Sequence, residues 1–168
     1  MGVGALGGLF ALTVVLGGTI FIDGGDGGAV KQIRLSAEAG GLRRSSEDPA
    51  ASVAYPFITE AVRRGGMPLR RQTAAVYMSE ERDILFVGGT GEIADPEAFL
   101  DRAKPNTVLA AGHVGRDVCG TFAVLSAVHA YCAWATSGSY GFVASNVPAE
   151  STADLAQLVS RMRTDLEG

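Results

Sequence analysis

Histidine, cysteine and lysine are scarce in this chain of 168 residues, which has two of each and a single tryptophan. So few histidines and cysteines leave little material for a metal site or a thiol–imidazole pair. A basic excess is also missing, because the formal net charge is −4. Since nucleic-acid binders usually carry a basic surface, we expect no nucleic-acid partner.

Charge is absent from the first 22 residues. Between Val3 and Ile22 the chain reads VGALGGLFALTVVLGGTIFI, with two threonines as its only polar side chains. A helix of this length spans about 30 Å, the thickness of the hydrocarbon core of a bilayer, so we predict a transmembrane anchor. Two alternatives stay open: a cleaved signal peptide, and a buried core element with residues 19–22 as a strand. The stretch lacks the basic start and the small-residue cleavage site of a signal peptide.

Three regions follow from this division of the chain. Residues 1–22 are the predicted anchor, 23–45 a linker and lead-in segment, and 46–168 an α+β domain. The linker opens with DGGDGG, which favours neither helix nor strand. The hydrophobic periodicity and the positions of glycine and proline predict a mostly antiparallel sheet covered by two to three helices. The predicted helices are 57–64, 96–104 and 151–166, and the predicted strands are 73–78, 84–87, 107–111, 120–125, 129–135 and 140–145.

The strongest helical signal lies at the C-terminus. Ser151 is placed to cap a helix, and Asp154 stands where the acid of a capping box belongs. We expect this helix to pack on an antiparallel sheet with the helices on one side. Its apolar face is formed by residues at three- and four-residue spacing, namely Leu155, Leu158, Val159, Met162 and Leu166.

Cys119 and Cys132 are predicted to form a disulfide. A hairpin folded about residues 125–126 places them directly opposite each other, at about 4.5–5.5 Å between Cα atoms, which a disulfide can span. Disulfides persist in oxidising compartments, so we expect the domain to lie outside the cytoplasmic membrane. Two buried free thiols are the alternative. Lys31 and Arg34 follow the apolar segment and, by the positive-inside rule, argue for the opposite orientation.

Four stretches of the chain carry a resemblance to a known group of proteins. They read AGGLRR at 39–44, AVYMSEERDILFVGGTGEIADP at 75–96, YCAWATSGSYGFVASN at 131–146 and LVSRMRTDLEG at 158–168. Together they resemble membrane-anchored extracytoplasmic hypothetical proteins of actinobacteria, over most of residues 37–168. Thr136 stands where many members have Asp. The resemblance implies an extracytoplasmic domain with no assigned chemistry.

Two catalytic or metal-binding sets can be drawn from the few suitable residues. Cys119 could act as a nucleophile beside Asp117 and either His113 or His129. The same two histidines with Cys119 and Cys132 have the right ligand types for a metal. Their spacing matches no zinc motif, so we expect no metal site.

The run Gly88–Glu92 could cradle an anion with its backbone amides. It lacks the lysine of a nucleotide-binding loop, and a tight connection between a strand and a helix is the simpler interpretation. Asp83, Glu92 and Asp95 are better explained as turn and cap residues than as an acid–base pair.

These observations predict a membrane-anchored, extracytoplasmic, non-enzymatic domain that binds a partner protein or an envelope component. It would contact the membrane through residues 3–22, and we expect no cofactor. Trp134 and Tyr140 flank a hairpin turn and are either cross-strand core residues or a partner surface. The alternatives are a cysteine- or carboxylate-dependent envelope hydrolase and an accessory subunit of a larger membrane complex.

Overall fold

The computed structural model describes residues 31–68 and 71–168. Within these ranges eight antiparallel strands form one sheet in the order β1-β2-β3-β4-β8-β7-β6-β5. Three α-helices accompany the sheet, which confirms the predicted α+β class. The elements are β1 (Glu38–Ala39), β2 (Leu42–Arg44), α1 (Tyr55–Gly65), β3 (Gln72–Met78), β4 (Asp83–Thr90), α2 (Pro96–Arg102), β5 (Val108–Val114), β6 (Asp117–Val124), β7 (Ala127–Ala135), β8 (Ser139–Ser145) and α3 (Thr152–Leu166).

Helices cover both faces of the sheet, whereas the sequence predicted them on one side. α1 and α2 pack on one face, in a core that includes Phe122 and Phe142. α3 packs on the other face, in a core that includes Phe86 and Trp134. The physical reason lies in the central strands, because β8 is buried at every position and therefore needs a cover on each face.

β4 continues through Gly88 and Gly89, where the sequence predicted a break. At both positions neighbouring atoms lie too close to leave room for a side chain. A Cβ atom on Gly88 would lie 2.5 Å from the ring of Phe86, and one on Gly89 would lie 2.5 Å from the carbonyl oxygen of Arg71. The absence of side chains therefore keeps the strand in the sheet rather than ending it.

Part of the predicted lead-in segment belongs to the domain. β1 and β2 form a hairpin whose turn residues, Gly40 and Gly41, have φ of 62° and 82°, a conformation that glycine adopts readily. Before this hairpin, the amide of Gln32 donates to the carbonyl of Gly168 at 3.1 Å. The domain thus starts before residue 46. Strands of two and three residues are too short to leave a periodic signal in the sequence.

The transmembrane prediction falls on residues 3–22, which lie outside the described residues. Within 31–68 and 71–168, no helix combines the length and apolarity needed to cross a membrane. The anchor therefore stays a prediction, and so does the extracytoplasmic location that was inferred together with it.

The structure confirms the predicted cap of α2, but the side chain predicted to cap α3 does not do so. Asp95 caps α2, since its Oδ1 accepts from the amide of Ala98 at 2.9 Å. Ser151 occupies the cap position of α3, but its side chain makes no capping hydrogen bond. The predicted apolar face of α3 is confirmed, because all five of its residues are buried.

Gly141 gives the first test of packing. It lies opposite Trp134 across the β7–β8 pair, and a Cβ atom there would be 2.2 Å from Cζ2 of the indole. We expect Gly141→Ala to lower the free energy of unfolding by about 1–3 kcal/mol, because the buried ring must shift. Urea melts measure this.

Gly112→Ala is the matched control for Gly141→Ala. A Cβ atom on Gly112 would meet none of the described residues within 4 Å. The control should keep or slightly raise the free energy of unfolding, since alanine is favoured over glycine inside strands. Equal loss in the two variants would contradict the packing of Trp134 against Gly141.

Candidate functional site

Cys119 and Cys132 form a disulfide, as the sequence predicted. They are directly opposed on β6 and β7, with 4.0 Å between their Cα atoms. The connecting turn is residues 125–126, the position that the register requires. Both cysteines belong to the core under α3, so the bond is closed off from solvent.

We expect no free thiol in protein isolated without reductant. Alkylation in denaturant should label neither cysteine, and prior reduction in denaturant should expose both. Replacing Cys119 and Cys132 by alanine should lower the free energy of unfolding by about 3 kcal/mol, the value for a loop of this size in the chain-entropy model. Two alkylated cysteines in unreduced material would contradict the disulfide and weaken the extracytoplasmic assignment.

The histidines do not share a sheet face with the disulfide. His129 is three positions before Cys132 on β7, so it points to the opposite face, where its Nδ1 lies 3.0 Å from the carbonyl oxygen of Ser145. His113 is on β5, with Nε2 3.9 Å from Oδ1 of Asp101. The thiol–imidazole and metal sets are therefore not brought together. Over the described ranges, no group of three or more metal-ligating side chains occurs.

Backbone groups of the run Gly88–Glu92 form hydrogen bonds within the fold. Its first three residues lie inside β4, and the amide of Gly91 donates to the carbonyl of Gly138 at 3.0 Å. Asp83 opens β4, and Asp95 caps α2. The cap role predicted for Asp95 is confirmed, whereas Asp83 is the first residue of a strand rather than a turn residue.

Trp134 and Tyr140 are both fully buried. The prediction that they form a partner surface is therefore wrong, and they are core residues. They lie on opposite faces of the sheet. Trp134 stacks near Phe86 at 6.0 Å between ring centroids, and Tyr140 packs near Phe99 at 5.6 Å. Although they flank a turn, both still pair within the β7–β8 ladder, and the helices cover both faces. Burial raises the pKa of Tyr140 to about 12, so its phenol stays protonated at neutral pH.

A buried carboxylate beside Trp134 escaped the sequence analysis. Glu167 accepts hydrogen bonds from Ser139 Oγ at 2.7 Å, Trp134 Nε1 at 2.9 Å and Arg163 Nε at 3.0 Å. Burial raises the pKa of this carboxyl, but the three hydrogen bonds outweigh burial and hold the pKa below its ordinary value. Glu167 lies in the stretch 158–168 that carries the resemblance, but no spacing within it marks this carboxylate as buried.

Arg163 extends this cluster to β6. Its guanidinium lies 5.8 Å from the ring centroid of Trp134, and its Nη1 lies 3.3 Å from Oδ1 of Asp117. Burial raises the pKa of Asp117, and Arg163 acts against that rise. Because its polar groups bond to one another, the cluster acts as a structural clamp between α3 and the sheet.

The edge strand β5 is an exposed apolar strand of the described fold. Six of its seven residues are exposed, with Leu109 at 61% and Val114 at 52%. His113 is its only ionisable residue, and it contains no proline. Natural edge strands are usually short, charged or covered, because an open edge is a template for another strand. The opposite edge, β1, has only two residues, and β5 is irregular only between Val108 and Ala110.

Two grooves flank β5. The α3 groove, of about 500 Å³, lies between Val114 and the first three turns of α3 and is lined by Val114, Thr152, Ala153, Ala156, Gln157 and Ser160. The α2 groove, of about 640 Å³, lies between the start of α2, the β5–β6 turn and the β7–β8 turn. Its charged or ionisable lining residues are Asp95, Glu97, His113, Arg116 and Arg163.

Comparisons of the chain with protein-family models, curated proteins and solved structures find no match. The resemblance to actinobacterial extracytoplasmic proteins therefore stays a prediction. The geometry of the β5 edge and its two grooves is the observation from which a function can be argued.

Proposed function

We propose that this protein is a membrane-anchored, extracytoplasmic, non-enzymatic domain that binds a partner protein through the edge strand β5. The observation that carries the proposal is the exposure of this strand along nearly all of its length. Its outer backbone groups can pair with a strand from another chain, and such main-chain hydrogen bonds supply affinity in β-augmentation.

The disulfide supports the proposed compartment. A bond between Cys119 and Cys132 is kept in oxidising surroundings and is rare in the cytosol. It also bears on the cysteine-dependent alternative, because a nucleophile requires a free thiolate and both sulfurs are used in the bond. Partner binding therefore has the better support.

A photo-crosslinker tests the proposed edge. Leu109 in the full chain is replaced by a benzophenone amino acid, and intact host cells are irradiated. We expect adducts of defined size in the membrane fraction, because Leu109 is exposed on β5. Ala111→Lys in the same chain should reduce the adduct yield about fivefold or more, equivalent to about 1 kcal/mol.

Val53 is the control position for the crosslinker, since it is 49% exposed and lies outside β5. Adducts in equal yield from positions 53 and 109, or from neither, would contradict partner binding at this edge. Recovery of the full chain in the soluble fraction without detergent would contradict the anchor.

A further inference from the structure

We infer that β5 binds an extended peptide segment of the partner, which places a large apolar side chain in the α3 groove and an acidic side chain against Arg116. The inference rests on the proposed function and specifies the chemistry of the partner. Three features of the edge support it: backbone groups that no other described strand pairs with, the space over Gly112 among the described residues, and the charge of Arg116 after the strand.

The backbone groups that face outward can be assigned from the strand register. The Cα distance of 4.0 Å marks Cys119–Cys132 as a closely spaced, non-hydrogen-bonded pair. Cys119 therefore directs its N–H and C=O toward β5, where it is opposite Gly112. Backbone direction alternates along a strand, so Ala111 and His113 direct theirs away from the sheet. An added strand would pair with these two residues.

Gly112 leaves space for a side chain of the added strand. It lies on the α3 side of β5, as does Val114, and within residues 31–68 and 71–168 a Cβ atom on it would meet nothing closer than 4 Å. A side chain from a neighbouring strand can lean across Gly112 into the α3 groove. Ala153 and Ala156 are small and apolar, so the volume of about 500 Å³ suits a large aliphatic or aromatic side chain.

Arg116 supplies the cation for the acidic side chain. It follows β5 at the β5–β6 turn, is exposed, and has no ion pair among the residues that the structure describes. Arg163 is already bound to Asp117 and Glu167. Glu97 belongs to α2, whereas Arg116 lies in the turn two residues after the end of β5, so one end of an added strand would come near it. A carboxylate there would form a charge-assisted hydrogen bond.

A second copy of this chain that pairs symmetrically about Ala111 fits the edge less well. Symmetric antiparallel pairing about Ala111 would place Ala110 of each copy opposite Gly112 of the other. These residues carry little or no side chain, so the α3 groove would stay unfilled. A peptide that carries a large apolar side chain on the α3 face can fill the α3 groove.

Peptide selection on the full-length protein in detergent micelles tests the inference. Nine-residue peptides displayed on phage are selected on the wild type after depletion on Gly112→Leu. We expect enriched sequences to alternate, with a large apolar residue on one face and an acidic residue at a fixed distance from it. A synthetic enriched peptide should bind Gly112→Leu and Arg116→Ala at least about tenfold more weakly than the wild type, a change equivalent to about 1.4 kcal/mol.

Three controls separate binding from folding. Val53→Ala should bind the peptide as the wild type does, and urea melts of Gly112→Leu should match the wild type. A peptide with alanine in place of its large apolar residue should lose affinity for the wild type, which tests the groove without any change to the protein. Arg116→Glu should prefer a peptide whose acidic residue is replaced by lysine.

Failure of the inference can be distinguished from failure of the proposed function. Three outcomes would overturn the inference that β5 binds a peptide. They are no enrichment, enriched sequences without alternation, and equal affinity for the wild type and Gly112→Leu. A dimer in sedimentation that Ala111→Lys dissociates would also overturn it and assign the edge to a second copy. If the crosslinker at Leu109 still captures a protein, the proposed function stands. If it captures none, both fail.

Discussion

Glu167→Ala is expected to lower the free energy of unfolding by about 3 kcal/mol, the lower end of the usual cost of removing one partner of a buried ion pair, because Arg163 is partly exposed and keeps Asp117. The side chain of Glu167 is only 1% exposed. Its loss would leave the indole N–H of Trp134 and the hydroxyl of Ser139 without their acceptor, and would remove one of the two carboxylates that neutralise Arg163. Urea unfolding followed by the fluorescence of the single tryptophan measures the change next to the site.

Two variants serve as controls for this prediction. Glu167→Gln keeps an acceptor oxygen without the charge and should lose less than Glu167→Ala. Glu80→Ala removes an exposed turn carboxylate and should stay within about 0.5 kcal/mol of the wild type. Equal unfolding midpoints for Glu80→Ala and Glu167→Ala would show that the cluster contributes nothing to stability.

The pH dependence has a definite sign. The pKa of Glu167 is lower in the folded state than its ordinary value of 4.5. Its contribution to stability is therefore fully present above that value and is lost as the pH falls through the folded-state pKa. As the pH falls, the free energy of unfolding of the wild type should decrease by the contribution of Glu167. Glu167→Gln should not show this contribution.

The cluster also fixes the point where the chain enters the domain. Lys31 Nζ lies 3.6 Å from Oε2 of Glu167, and Gln32 exchanges backbone hydrogen bonds with Gly168. The start of the described chain is thus joined to the end of α3. Under the proposed anchoring, the tether would reach the domain at this clamp.

Local patterns in the sequence were sufficient to predict the three helices, the longer strands and one cross-strand contact. The disulfide could be predicted because a two-residue turn at 125–126 fixes the register of β6 against β7. The apolar face of α3 could be predicted because its spacing is helical over about three turns. Both signals lie within a short stretch of chain, where the geometry of one element determines which residues meet.

The order of the strands in the sheet could not be predicted from local sequence patterns. The segment Val108–Val114 reads as an apolar strand whether it lies at the centre or at the edge of a sheet, so its exposure could not be predicted. Trp134 and Tyr140 could be placed beside a turn, but their burial depends on helices distant in sequence. Glu167 is buried only because α3 returns its end to Trp134.

Leu158→Ala is expected to lower the free energy of unfolding by about 2–5 kcal/mol, the sum of lost transfer free energy and the cavity left behind. Leu158 is 1% exposed on the face of α3 that covers the sheet. It also contacts the β1–β2 hairpin, since a Cβ atom on Gly40 would lie 2.8 Å from its Cδ1. Urea melts of the full chain in detergent measure the loss.

Neighbouring positions on α3 decide between a core helix and a docking helix. Gln157→Ala and Arg161→Ala, both exposed, should stay within about 0.5 kcal/mol of the wild type. Phe99→Ala reports on the opposite core and should destabilise the domain in either case. If Leu158→Ala left the midpoint unchanged while Phe99→Ala lowered it, the apolar face of α3 would be a partner surface. The burial of Leu158 predicts that both variants lower the midpoint, because each empties one of the two cores that the sheet separates.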